Sequence, residues 1–387
     1  MIFNIVFHRD DSDIDEDKAF EEELMRQRKL IDDAIKADKK RLETAAAEAK
    51  AKAEKEKKEK EEKEKKEKEE KKKKEEILKQ QQSAATSIEG MEEYKKYYAK
   101  IEYYKTKIKP MMKEDTFRKQ CFNAKMIINR TITQLQSDHK IVYEKYEFLK
   151  NHILNIKQQS NEAFEFLLNH LSKVFLAQVK QEIHATAFAA YFLARFACLM
   201  CSAIPEFLDY LMGRLLKRCQ YLIPKYHDDD PTLSADEIRS RLRYNYSNKE
   251  KKILETFLEH SENQKCYIMF YSALCQTVPD PGQPENPFPI KYAWIWLARI
   301  CNMPPREVTP ILVLGCLEVS AIRLLEAYPH QTPKLFRLIR ETICSMYPIT
   351  DNQDNLSSIK QLEMFLDEYF QTGVPKCIPE TLPPSVK

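Results

Sequence analysis

Five glycines in 387 residues, at Gly90, Gly213, Gly282, Gly315 and Gly373, constrain this chain more than any other feature of its sequence. A loop that cradles phosphate needs several glycines close together, so that backbone N–H groups can approach the ligand. No two of these five share a loop, which excludes the P-loop and dinucleotide-binding plans. Scarce glycine combined with long leucine-rich runs at helical spacing predicts an all-α protein. At this length the chain can bury a sizeable core in one large or two medium domains.

Composition divides the chain. Residues 1–34 read as a short tail, apolar and then acidic, and residues 35–83 are almost entirely Lys, Glu and Ala. No apolar residue occurs from Glu54 to Glu76, so the a/d seam of a coiled coil is missing there. Glu and Lys three and four residues apart instead support a long charged single helix acting as a spacer. The block Lys71–Lys74 resembles a nuclear-localisation or RNA-binding patch, but glutamates interrupt the rest of the run. Residues 84–98 are expected to be a hinge and the start of the helical region, 99–375 the folded domain, and 376–387 a flexible C-terminal tail.

Within the domain, helical spacing predicts helices near 91–109, 114–135, 138–157, 161–182, 185–203, 205–222, 234–244, 249–259, 262–277, 289–302, 306–328, 332–346 and 356–371. Ser234-Ala-Asp-Glu237 has the pattern of a capping box, in which hydroxyl and carboxylate each satisfy a free backbone N–H. Prolines fall at or between these segments, as breakers should. Many helices with short Pro-marked links imply an irregular HEAT-like α-solenoid.

The apolar run Ala185–Ile204 is long enough to raise the membrane question, since about 20 residues span a bilayer. Arg195 in its middle costs roughly 2.5–3.5 kcal/mol on insertion scales, which favours a buried helix with Arg195 reaching out or paired, and no membrane insertion. The start of the chain lacks a signal-peptide pattern, so its ten cysteines point to a reducing compartment. Cys198-Leu-Met-Cys201 has zinc half-site spacing but no second pair, and reads as buried packing. His227-Asp-Asp-Asp230, between Pro224 and Pro231, reads as a solvated loop. His184, Asp209 and the other isolated titratable groups form no nucleophile–base pattern, so no enzyme is expected.

The net charge of +3 identifies no nucleic-acid binder, and local patches must carry any such claim. One such patch lies in Pro205–Leu222. At about 100° per residue, Phe207, Leu208, Leu211, Met212, Leu215, Leu216 and Cys219 mostly fill one broad face while Arg214, Lys217 and Arg218 share an opposite arc. Like charges three and four residues apart repel, so the arc is either screened by water or bridged by a polyanion.

Three segments, PEFLDYLMGRLLKRCQYLIP (205–224), NPFPIKYAWIWLARICNMP (286–304) and AIRLLEAYPHQTPKLFRLIRE (321–341), resemble the C-terminal domain of the Gle family of nuclear-pore mRNA-export mediators. The second is the most specific, with Pro287-Phe-Pro-Ile290 leading into a helix that carries Trp294 and ends Leu297-Ala-Arg-Ile-Cys-Asn302. The blocks stand in family order across roughly residues 100–375. The resemblance departs from the family pattern at Cys266-Tyr267 and at Leu317-Glu318, where paired glycines and paired tryptophans are common. The charged spacer matches a helical N-terminal region without its usual coiled-coil seam.

The resemblance implies a HEAT-like domain, without catalytic activity, that binds both lobes of a DEAD-box RNA helicase at the cytoplasmic face of the nuclear pore and stimulates its ATPase. It also implies presence in cytoplasm and nucleus, an FG nucleoporin bound near the C-terminal end, contact with translation initiation or termination factors, and mostly indirect contact with RNA. Inositol hexakisphosphate bridges the two proteins in fungal members through a basic pocket. Arg214, Lys217 and Arg218 match the pocket's R-x-x-K-K core, and Lys173 matches another pocket lysine. Ala177 stands where the fungal motif has histidine. A further pocket lysine falls among Arg118, Lys119 and Lys125. The alternative reading is an α-helical RNA-binding or translation-initiation scaffold that leaves ATP turnover unchanged.

Overall fold

The computed structural model describes residues 88–224, 234–348 and 353–380. These belong to one compact unit, Thr86–Lys387. The charged run 35–83 and the His227–Asp230 segment lie outside the described residues. The described chain is all-α apart from one two-stranded hairpin.

Helix α1 (Ile88–Tyr103) continues through a π turn, Tyr104–Ile108, into a 3₁₀ turn, Lys109–Lys113, with Pro110 at its start. Then come α2 (Asp115–Thr133), α3 (His139–Gln159), α4 (Asn161–Ala185), α5 (Ala189–Ala203) and α6 (Pro205–Arg218). After α7 (Ala235–Leu242) and the strands β1 (Tyr246–Asn248) and β2 (Ile253–Leu254) follow α8 (Phe257–Gln276), α9 (Lys291–Cys301) and α10 (Thr309–Ala327). The chain ends with α11 (Gln331–Leu338), a second π turn (Ile339–Ile343), α12 (Cys344–Met346) and α13 (Gln353–Thr372).

Packing proceeds along the chain: α2 on α4, α4 on α6 and α8, α5 on α8, α8 on α10, and α10 on α13. This stacking of successive elements fits an irregular solenoid. The central helices α4, α5, α8 and α10 bury residues on nearly every side, including Phe175, Phe196, Phe270 and Leu317, and so form the spine of the core. Trp296 is buried and donates its Nε1–H to the Tyr221 carbonyl at 2.8 Å, which fixes the chain just beyond α6.

Local chemistry sets the boundaries. Ser160 caps α4 by accepting from the Ala163 N–H, and the capping box at Ser234 is formed, with Ser234 N–H donating to the Glu237 carboxylate at 3.0 Å. A second capping box, Thr256 with Glu259, starts α8. It overturns the expected helix at 249–259, where the polar run Asn248–Lys252 instead turns a hairpin through Lys252 at φ +52°. The basic helix also stops four residues short of the expected Leu222, because Cys219 adopts extended dihedrals and the Gln264 amide donates to the Arg218 carbonyl at 3.1 Å.

Arg195 in α5 is paired, with Asp280 at 3.2 Å and Glu380 at 3.5 Å. No helix among the described residues is long and apolar enough to cross a membrane. Burial pushes the Cys198 thiol up to about 11 and the Cys201 thiol well above its ordinary value, which makes both inert packing groups. Residues 376–380, assigned to a tail by their sequence, run against α10: the Ile378 N–H donates to the Glu318 carbonyl at 2.8 Å, and Tyr191 donates to the Ile378 carbonyl at 2.6 Å.

Candidate polyanion site

Helices α4 and α6 are joined by a ladder of hydrogen bonds. Glu165 accepts from the Tyr210 hydroxyl at 2.5 Å, Asn169 Oδ1 accepts from Arg214 Nε at 2.7 Å, and the Lys173 carbonyl accepts from Arg218 at 3.1 Å. Each rung joins residues 45 positions apart, and successive rungs climb both helices by four residues. The two helices therefore run parallel in fixed register, with α5 carrying the chain back between them.

The register brings four cations predicted from the sequence to one place. Arg214 and Lys173 both lie over the buried Tyr104 ring, at 5.5 and 5.8 Å, and Lys217 lies over Tyr98 at 5.5 Å. Arg218 is held from both sides, by the Lys173 carbonyl and by the Tyr267 hydroxyl at 3.1 Å. Lys125 joins from α2: its charge acts on both Lys173 and His170.

Lys119 is not brought to the group. It lies six residues before Lys125, about 240° around the helix, and is exposed. Arg118 is engaged by Asp115 at 2.5 Å.

Two further lysines, Lys105 and Lys109, come from the π and 3₁₀ turns after α1. A π turn holds one more residue than an α turn, and here the π turn packs on α4 while the 3₁₀ turn after it packs on α2. Sequence periodicity does not register that change. The run Lys105-Thr-Lys107-Ile-Lys109-Pro110 was its visible signal.

The site is short of negative charge. Among the described residues no carboxylate forms a salt bridge with Lys173, Arg214, Lys217, Arg218, Lys109 or Lys125, while Lys105 is claimed by Glu102. Partial removal from water, followed by the charges of Arg214, Lys109, Arg218 and Lys125, brings Lys173 down to about 8, although the residue as a whole is exposed. Desolvation and contact with Lys105 bring Lys217 down to about 8 as well. His170, half-buried beside Lys125 and Lys173 and 2.8 Å from Asn129 Oδ1, falls to about 4 and is neutral at physiological pH. Groups driven this way gain from any ligand that supplies counter-charge.

A family model described as GLE1-like protein matches residues 99–340, more than half of the chain. The chain belongs to the GLE1-like family. It is 25% identical over 213 residues to mRNA export factor GLE1 of Mus musculus, which covers 54% of this chain and 30% of the mouse protein. To mRNA export factor GLE1 of Saccharomyces cerevisiae it is 26% identical over 243 residues, covering 61% of this chain and 44% of the yeast protein. The match thus spans less than half the length of either GLE1 relative.

The fold of this GLE1-like chain also matches a chain in a solved structure of the S. cerevisiae Dbp5 C-terminal domain bound to Gle1 and IP6, with a TM-score of 0.67 and 22% identity, over 76% of this chain and 99% of that one. At that identity the likeness establishes the fold. The basic cluster lies within the residues that the GLE1-like family model matches.

Proposed function

We propose that this chain is a non-enzymatic activator of a DEAD-box RNA helicase in mRNA export, and that its basic cluster holds inositol hexakisphosphate against that helicase. The observation that carries the reading is the convergence of Lys173, Arg214, Lys217, Arg218 and Lys125, with Lys105 and Lys109 at the margin, in a patch where desolvation and neighbouring like charges hold two lysines at about 8. The names of the relatives and of the complex on whose fold this chain is superposed support the same reading.

The donor set fits such a ligand. Lysines offer mobile point charges and arginines fixed forks, and both suit a dense array of phosphates. When bound, inositol hexakisphosphate supplies the missing counter-charge and presents its remaining phosphates to a partner. The residues of the chain do the rest: Tyr104 and Tyr98 align the cations, and Asn169 and Tyr267 fix the two guanidiniums. Activation is then differential binding, in which the domain favours a helicase state that releases RNA over the closed state. Placement at the cytoplasmic face of the nuclear pore, with an FG nucleoporin and translation factors as further partners, follows from the same reading.

The test is RNA-stimulated ATP hydrolysis by the export helicase, with and without this chain, across a titration of inositol hexakisphosphate. Stimulation that rises with the ligand supports the proposal. Stimulation indifferent to it removes the ligand from the proposal, and no stimulation removes the activator. A second reading, an RNA-binding scaffold, draws on the same cations beside the half-exposed Tyr98 and Tyr103 rings. It requires steep, salt-dependent RNA affinity with no helicase present.

A further inference from the structure

We infer that Asn169 sets the charge of the basic site: it aligns the Arg214 guanidinium through an uncharged acceptor and leaves the full positive charge for an outside polyanion. The inference deepens the proposed phosphate-ligand site and rests on it for the identity of the ligand. The charge effect itself is measurable without one.

Asn169 is 1% exposed, and its Oδ1 accepts from both Nε and a terminal nitrogen of Arg214. Arginine carries only donors, so the amide oxygen must face it. The Asn169 side chain also acts on the neighbouring Tyr104 hydroxyl, opposing the upward push of burial on that group. The fork of a guanidinium is the partner that carboxylates ordinarily take.

The ladder shows the choice rung by rung. One turn earlier the acceptor is the carboxylate of Glu165, and there its charge is consumed inside the fold by Lys100 at 3.0 Å. At Asn169 the acceptor is an amide, and one turn later it is the Lys173 main-chain carbonyl. Acceptors toward the cation cluster are thus neutral, while the spacing of the rungs stays the same. An aspartate at 169 has the same shape and would close a bidentate ion pair with Arg214. The fold would keep its rung, and the site would lose a charge at its centre.

The experiment compares Asn169→Asp and Asn169→Ser in the full chain by three readouts: side-chain NMR titration of Lys173 without ligand, thermal melting, and calorimetric binding of inositol hexakisphosphate at several salt concentrations. For Asn169→Asp the expected result is a Lys173 titration raised from about 8 toward the ordinary lysine value, an unchanged or higher melting temperature, and affinity weaker by about tenfold or more with a shallower salt dependence. For Asn169→Ser, Lys173 should titrate as in the native chain and affinity should fall less than in the aspartate variant. An unmoved Lys173 titration in Asn169→Asp overturns the inference, as does an aspartate variant that does not fold or a serine variant that binds as weakly. A native chain that fails to bind inositol hexakisphosphate while Lys173 still shifts in Asn169→Asp leaves the charge inference standing and removes the proposed ligand.

Discussion

Arg299 in α9 holds the Glu93 carboxylate of α1 at 2.7 Å, across 206 positions of sequence, with each side chain one-fifth exposed. The pair makes α1 part of the folded unit, because Arg299 belongs to the core helix that carries Trp296. Tyr98, the ring beneath Lys217, lies on the same helix.

Glu93→Gln should therefore lower stability by about 2 kcal/mol, the usual worth of a hydrogen bond to a charged group. A chain that begins at residue 105 lacks α1 and both the Glu93 and Tyr98 contacts, and should melt lower and bind inositol hexakisphosphate more weakly. Thermal melts and calorimetry on the three proteins check both statements.

Lys173→Gln combined with Lys217→Gln should raise the melting temperature while weakening ligand binding, since both lysines sit among like charges in the folded state. Reversing Arg214 and Arg218 to acids is a poorer test. Those side chains bond Asn169, Tyr267 and the Lys173 carbonyl, so their loss strands the buried Asn169 amide oxygen. Opposite shifts in stability and affinity for the lysine pair are the result to look for.

The lowered lysines fix the sign of the pH dependence. Between about 8, the folded value of Lys173 and Lys217, and the ordinary lysine value of 10.5, the unfolded chain binds more protons than the folded one. Stability contributed by these groups thus rises with pH across that window. Phosphates favour the charged forms, so binding should take up protons near pH 8–9 and weaken as pH rises further. Calorimetry in buffers of different ionisation enthalpy measures that uptake.

Gly213 lies where α6 crosses α1, and a Cβ there would stand 2.7 Å from the Tyr97 carbonyl oxygen and 2.7 Å from Ile101. Gly213→Ala should destabilise the chain by about 1–3 kcal/mol despite alanine's better helix propensity, because backbone cannot yield as a side chain can. Gly315 is the contrast: its nearest neighbour is the flexible Lys265 side chain at 2.8 Å, and Gly315→Ala should be milder. Chemical denaturation of the two variants gives the comparison.

What the sequence displayed was periodicity. The amphipathic arc of Arg214, Lys217 and Arg218 and the capping box at Ser234 were legible because each depends on residues within one or two turns, whereas the partners of Arg195, Asp280 and Glu380, come from far along the chain. The hairpin at Tyr246–Leu254 was not, since a run of Lys and Glu satisfies helical spacing equally well and only the left-handed backbone at Arg243 and Lys252 tells them apart. The Thr-x-x-Glu pattern of the Thr256–Glu259 capping box stands in the sequence and marks the start of α8. Lys105 and Lys109 depend on a π turn, which changes phase by one residue without changing composition. Asn169 acquires meaning only through a neighbour 45 positions away.

The parallel ladder has a consequence for how this domain tolerates insertions and deletions. Extra residues on either side of α5, in the links at Thr186–Phe188 or at Ile204, lengthen a return path and leave every rung with its partner. A single residue inserted inside α4 just after Glu165 rotates all that follows by about 100° relative to that rung and delivers a wrong side chain to the two rungs beyond it. The stretch from Glu165 to Arg218 therefore keeps its register as a unit that is not divisible within either of its outer helices.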